Sequence, residues 1–245
     1  MKVAKVFGFE NKHLVAQFMS LDINPSVGKV VNGLSSFKWA GLDPETGEPR
    51  GVLNGVVSKD YYEMYSDSIE NQVFHGSAVP LYSGFLMNTI SWKKLSLSFN
   101  ISYKLGYYFR KPVVNFADLT YNVKFLPTDY YHRWQKPGDE NYTNVPAIDF
   151  PVKDDGAIPF YAYSEVNVLR GDHIRLQDLK MQYEFGSSLK HISFIKGLSA
   201  SIYVNNLNVM VWRKNKSGLD PEFAGANTLL IPTPRTWTIG FSANF

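Results

Sequence analysis

The longest apolar stretches of this chain repeat every two residues, the signature of β-strands with two unlike faces. Over 95–105, Leu95, Leu97, Phe99, Ile101, Tyr103 and Leu105 share one parity, while Ser96, Ser98, Asn100, Ser102 and Lys104 take the other. Leu179, Met181, Tyr183 and Phe185 alternate with Lys180, Gln182 and Glu184. Leu198, Ala200, Ile202 and Val204 alternate with Ser199, Ser201 and Tyr203. The final stretch, TWTIGFSANF, sets Trp237, Ile239, Phe241, Ala243 and Phe245 against Thr236, Thr238, Gly240, Ser242 and Asn244. No residue at the apolar parity of these windows is charged.

Two all-β architectures use such strands. A β-sandwich buries one face of each sheet, and its strands run to about 5–6 residues. A transmembrane β-barrel uses strands of about 9–11 residues with the apolar face in lipid, where a charge costs roughly 2–4 kcal/mol at the midplane. Here the opposite parity is mostly Ser, Thr, Asn, Gly and Gln, and only 19% of the chain is charged, against about 25% in soluble proteins. Strand length and charge both favour the barrel; the alternative is a soluble β-sandwich acting as a carbohydrate-binding module.

The connections point the same way. A tight turn in SWKKLS joins 83–92 to 95–107, and a long connection follows over roughly 110–171. A moderate turn at 186–197 precedes a second long connection at 213–235. Barrels alternate short periplasmic turns with longer extracellular loops. About seven antiparallel strands are expected, near 1–15, 27–39, 83–92, 95–107, 172–186, 197–212 and 235–245. Within 172–186, Ile174 and Leu176 are even but Leu179 onward is odd, so a bulge is expected near Gln177–Asp178. Seven is an odd count, and lipid does not tolerate an open sheet edge. The expectation is therefore the C-terminal segment of a larger transmembrane β-barrel.

Other classes lack their residues. With no cysteine there is no disulfide, zinc–thiolate site or cysteine nucleophile. A net charge of +3 gives no electrostatic case for a nucleic-acid partner. No run approaches the ~18 apolar residues of a membrane helix, and MKVAKVFGFENKH does not read as a signal peptide. His13, His75, His132, His173 and His191 make no metal-ligand spacing, and no catalytic motif appears. Asp139–Glu140 and Asp154–Asp155 read as solvated loop pairs, so no enzyme, cofactor or metal is expected. GLDPE occurs at 41–45 and again at 218–222, and Asp-Pro beside Gly marks a turn. Asp43, Glu45 and Glu48 could contribute calcium ligands, but without the regular spacing of a calcium loop.

Seven segments, in order, resemble the C-terminal part of the SusC/RagA family of TonB-linked outer-membrane transporters. They are FKWAGLDPETGEPRG, PLYSGFLMNTISWKKLSLSFNISYKLG, RWQKPGDENYTNVPAI, RGDHIRLQDLKMQYEF, LSASIYVNNLNVMVW, SGLDPEF and IPTPRTWTIGFSANF. The resemblance implies a 22-stranded barrel in the outer membrane of a Gram-negative bacterium, enclosing an N-terminal plug. It implies a SusD-like surface lipoprotein as lid, oligosaccharide or peptide substrates, and TonB-driven import. Residues 1–245 would then be the C-terminal portion, with the plug and the N-terminal strands, and so the link to TonB, lying outside this sequence.

Two groups of residues follow as candidates. In TDYYHRWQKPGDENY, Tyr130, Tyr131 and Trp134 offer faces on which a substrate could stack, with Arg133 and Asp139 as polar handles; Trp39, Tyr61 and Tyr62 are weaker candidates of the same kind. Trp237, Ile239, Phe241 and Phe245 resemble the C-terminal signal read by the barrel-assembly machinery, and an unpaired apolar strand can be captured by β-augmentation.

Overall fold

The computed structural model describes residues 4–8, 26–114, 128–151, 155–185, 195, 197–224 and 231–245. Its strands are β1 (Gly33–Ser36), β2 (Trp39–Leu42), β3 (Pro49–Leu53), β4 (Val56–Ser58), β5 (Val73–Ser77), β6 (Tyr82–Trp92), β7 (Leu95–Leu105), β8 (Tyr108–Arg110), β9 (Val168–Arg170), β10 (His173–Glu184), β11 (Gly197–Asn205), β12 (Val209–Arg213) and β13 (Thr236–Asn244). Two short helices, α1 (Tyr61–Ser66) and α2 (Ala157–Ala162), accompany them. The chain divides into two units. One holds 1–81, 106–170 and 217–230, and the other 82–105, 171–216 and 231–245.

The second unit is a single antiparallel sheet in the order β13-β11-β10-β7-β6, with β12 also on β10. Register aligns like with like over most of the sheet; on the edge strand β6, Asn88 pairs with Phe99, and Phe85 and Met87 fall on the polar face opposite Ser102 and Asn100. Ile90, Leu97, Met181, Ile202 and Ile239 form one row across five strands, and Trp92, Leu95, Tyr183, Ala200 and Phe241 form the next. Directly paired residues share a face, so these rows build one continuous apolar surface. The other face carries Thr89, Ser98, Lys180, Tyr203 and Thr238 in register. There, hydroxyl pairs link strands at Thr89–Ser98 (2.9 Å) and Ser91–Ser96 (3.0 Å). Among the described residues of this unit no second sheet covers the apolar face: Ile239 and Phe241 are 69% and 77% exposed. Burial of that face, which a sandwich requires, is not found there.

Five of the expected strands appear close to their expected bounds. The expected strand 197–212 is β11 and β12 in succession, β11 on Leu179–Glu184 and β12 on His173–Leu176 of the same partner. Asn206-Leu207-Asn208 interrupts it, with Asn206 and Asn208 at φ +55° and +50°, a region asparagine tolerates better than most residues. The expected bulge in β10 is also present: Leu176 pairs Ile101, Asp178 pairs Asn100, and Gln177 is the extra residue. The slip returns Ile174 and Leu176 to the apolar face. Asp178 ties the two irregularities together, accepting from Asn100 Nδ2 (3.1 Å) and from the Asn206 N–H (3.3 Å).

Of the two expected N-terminal strands, the one at 27–39 is a correction. Within 1–15 only residues 4–8 are described, where Lys5 bridges Val30 and Val6 bridges Val27; the remainder lies outside the described residues. The segment 27–39 is not a long strand. It turns at Gly28 (φ +78°) and then forms β1, which pairs with β5. All four residues of β1 are buried, whereas a barrel strand keeps both faces accessible, one to lipid and one to the lumen.

The first unit, where long connections and two strands were expected, has a core of its own. Sheets β1-β5, β2-β3-β4 and β8-β9 are small. Phe37, Tyr61, Met64, Ile69 and Phe160 make one buried cluster; Val113, Val114, Val145, Ile148, Ile158 and Tyr161 make another. Phe160 is its aromatic hub, 5.3 Å from the rings of both Phe37 and Tyr61. A Cβ at Gly51 would collide with Met64 and Phe160, so glycine there permits the packing. Arg110 is buried and donates to the Ser35 carbonyl (2.9 Å), crossing between elements with its guanidinium over Tyr163. No helix among the described residues is long and apolar enough to cross a membrane, which says nothing about strands.

Candidate functional site

The candidate substrate segment begins with a helical turn at Thr128–His132. Tyr130 is half-buried against the valine–isoleucine cluster. The Arg133 guanidinium lies 4.3 Å over the Tyr130 ring and donates to the Tyr130 carbonyl at 3.3 Å. Tyr131 meets Tyr130 edge-on at 5.7 Å and is 67% exposed. The structure thus brings Tyr130, Tyr131 and Arg133 together, with Tyr131 the ring turned outward.

Trp134 is placed differently. It is 8% exposed, and Gly47 packs so closely on its indole that a Cβ there would overlap the ring. Its backbone N–H donates to the Val145 carbonyl (2.9 Å), and its Nε1 donates to Glu140 (3.3 Å). Glu140 is held below the ordinary carboxylate range, first by its own backbone N–H, then by Trp134 and the Gly138 N–H. Asp139 closes the loop, accepting from the N–H groups of Gln135 and Lys136 (3.0 and 3.1 Å). Of the weaker candidates, Tyr61 is a core residue whose hydroxyl donates to the Pro49 carbonyl (2.8 Å), Trp39 packs at the core margin, and Tyr62 is exposed.

Beside Trp134 lies a cleft of about 350 Å³. Pro49, Ala147, Ile148, Ala157 and Ile158 give it apolar walls, and Thr46, Glu48, Asp149 and Asp155 bring polar groups. The Ala147 N–H donates to the Gly47 carbonyl (2.9 Å), joining the two loops that frame it. Asp155 uses one oxygen to accept from the Ala157 N–H (3.0 Å) at the start of α2. Asp149 is exposed and makes no hydrogen bond or ion pair among the described residues.

Both GLDPE copies fold alike. Gly41 and Gly218 sit at φ +83° and +84°. Asp43 and Asp220 each accept from the N–H two residues on (2.9 and 3.0 Å). Each aspartate carbonyl also takes the N–H four residues on. The Lys59 ammonium sits 3.1 Å from Asp43 and 2.6 Å from Glu48, the place where a calcium ion would otherwise bridge them. Asp43 is pushed down to about 2, led by the Glu45 N–H and helped by Lys59. No group of three or more metal-ligating side chains occurs among the described residues.

On the sheet, the polar face has a hollow of about 220 Å³ lined by Thr89, Ser98, Asn100, Asp178, Lys180 and Tyr203, among others. Trp237, Ile239 and Phe241 project from β13, an edge strand, and Phe245 follows its end. Pairing places Tyr82, Leu105, His173, Arg213 and Thr236 toward one end of the sheet. The two-residue turn Lys93–Lys94 and Phe245 mark the other end.

The sequence reading took Glu48 only as a possible calcium ligand and Asp155 only as half of a solvated pair, missed Asp149, and did not group the three in a cleft. A signal was present, since GLDPETGEPRG and VPAIDF both put carboxylates beside proline-stiffened turns, but nothing local shows that residues a hundred positions apart converge.

No protein-family model and no curated protein matches the sequence. Solved structures match in fold. The RagAB peptide importer in its "open-open" state aligns at 20% identity and TM-score 0.65 over 99% of this chain and 25% of that one. The RagAB peptide transporter aligns at 18% identity and TM-score 0.65, over 93% and 24%. The "closed-closed" importer aligns at 18% identity and TM-score 0.67, over 98% and 25%. This chain spans about a quarter of the length of those chains. The fold is all-β, shared with a section of them.

Proposed function

We propose that the chain is a section of the barrel wall, with its loop module, of a TonB-dependent nutrient transporter in the outer membrane of a Gram-negative bacterium. The observation that supports this most is the charge-free apolar face of strands β6, β7, β10, β11 and β13, where the edge strand β6 brings one polar side chain, Asn88, opposite Phe99. Every charge on the sheet, including Lys104, Asp178, Lys180 and Glu184, falls on the opposite face. A lipid-facing charge costs roughly 2–4 kcal/mol at the midplane, a penalty that water does not impose. Edges β6 and β13 pair with further strands of the full barrel, because an open edge in lipid leaves backbone groups unsatisfied.

Import of peptides or oligosaccharides, a SusD-like lipoprotein partner and coupling to TonB through a segment outside this sequence complete the reading; the likeness to peptide importers supports the first of these. Tyr130, Tyr131, Arg133, Trp134 and Asp139 belong to the substrate-facing module, Tyr131 making contact and Trp134 and Asp139 holding the loop. The strand Trp237–Phe245 carries the assembly signal. Fractionation of the native protein tests the reading. It predicts a membrane-embedded protein, several-fold heavier than 27.8 kDa, whose gel mobility changes on heating. A product that stays soluble without detergent would refute it.

A further inference from the structure

We infer that the Trp134 cleft takes the side chain of a lysine or arginine from an oligopeptide. This deepens the transport reading above by choosing peptide over sugar as the substrate class.

The lining has two parts with different chemistry. Pro49, Ile148 and Ile158 offer an apolar wall, and Glu48, Asp149 and Asp155 put carboxylates on it. Among the described residues, no lysine, arginine or histidine lines the cleft. Lys59 neutralises Glu48 in part. Asp155 spends one oxygen on the Ala157 N–H, and Asp149 has no partner among the described residues. The cleft therefore carries surplus negative charge beside hydrocarbon. The same field reaches Tyr61, whose hydroxyl is pushed up first by burial and then by Glu48, Asp155 and Asp43.

An occupant must satisfy both parts. A bare metal ion gains nothing from isoleucine and proline walls. A neutral sugar wants an open aromatic face, and Gly47 covers the Trp134 ring. A long side chain with an aliphatic stem and a cationic head matches both, laying its methylenes on the apolar wall and its charge at the carboxylates. The volume suits one such side chain with its adjoining backbone; it lies near the small end of the roughly 300–1,000 Å³ range of ligand pockets. Charge complementarity of this kind sets specificity and speeds encounter.

The test is fluorescence anisotropy with labelled alanine pentapeptides centred on lysine, norleucine or glutamate, using protein purified from the membrane in detergent. The expected result is saturable binding of the lysine peptide, weakened by salt. The norleucine peptide should bind about tenfold more weakly, the loss expected when a charge pair is removed. Asp149→Asn should lower affinity for the lysine peptide without changing that for norleucine, which separates charge recognition from misfolding. Equal binding of lysine and norleucine peptides, no binding of either, or an unaltered Asp149→Asn variant would each overturn the assignment. A membrane-embedded protein that ignores the lysine peptide defeats this inference alone. A soluble protein that binds it defeats the transport reading and leaves the cleft standing.

Discussion

Gly47 seats the indole of Trp134: the glycine is at φ +70°, its carbonyl accepts from Ala147, and its missing Cβ is the space that the ring occupies. Both the conformation and the contact exclude a side chain. Gly47→Ala is expected to cost about 1–3 kcal/mol, the range for a residue forced into a sparsely allowed region, and to push Trp134 outward. Acrylamide quenching of tryptophan fluorescence together with thermal unfolding checks it. Unchanged quenching and melting would show that the ring does not depend on Gly47.

Asp43 has a pH signature with a defined sign. Its folded pKa of about 2 lies below the ordinary 3.8. The folded state therefore binds its proton less readily than the unfolded state does, and the turn loses stability as pH falls from about 4 toward 2. Lys59→Met should raise the Asp43 pKa only part way, because the Glu45 N–H is the largest cause. Carboxyl NMR titration of both proteins reads this directly. A full return to the ordinary value would assign the shift to Lys59 instead.

His75 has the same sign for a different reason. Burial, then the charge of Arg110, pushes its pKa down from 6.5 to about 4, and its ring hydrogen-bonds Ser36. The unfolded chain binds the proton more readily between those values, so the β1–β5 pair should loosen as pH falls from about 6.5 to 4. Amide protection factors at Leu34 and Phe74, corrected for the slowing of intrinsic exchange in acid, should fall through that window in the wild type and much less in His75→Gln. Identical profiles would exclude His75 as the cause.

Deleting Phe245 should lower the amount of assembled, heat-modifiable, surface-exposed barrel while leaving synthesis unchanged. The residue is 70% exposed at the end of an edge strand, so its loss removes little folded-state packing. Normal assembly after the deletion would end its role as a signal.

What was legible in the sequence followed from the two unlike faces of the long strands. Where one face must be apolar and the other wet, parity betrays the strand, its length and even the slip at Gln177, because one extra residue would otherwise turn Ile174 and Leu176 to the wrong face. The turn at Lys93–Lys94 was legible as the short polar stretch SWKKLS between two apolar runs. The first unit was not. Its strands span three to five residues, too short for a period, and its core joins Phe37, Tyr61 and Phe160 from distant segments. Trp134 looked like a stacking platform for the same reason: the glycine that covers it lies far upstream. The break at Asn206-Leu207-Asn208 had a readable cue, two asparagines a residue apart, which the strong alternation on either side obscured.

A barrel wall requires that the two faces of its sheet meet different solvents. Spin labels at Ile202 and Ile239, paired in one row, and at Tyr203 and Thr238, paired on the opposite face, can be compared in reconstituted vesicles. The account predicts that the first pair collides freely with dissolved oxygen and little with a water-soluble nickel complex, and that the second pair does the reverse. Equal nickel accessibility on both faces would mean that the apolar face meets water, and the barrel reading would fall.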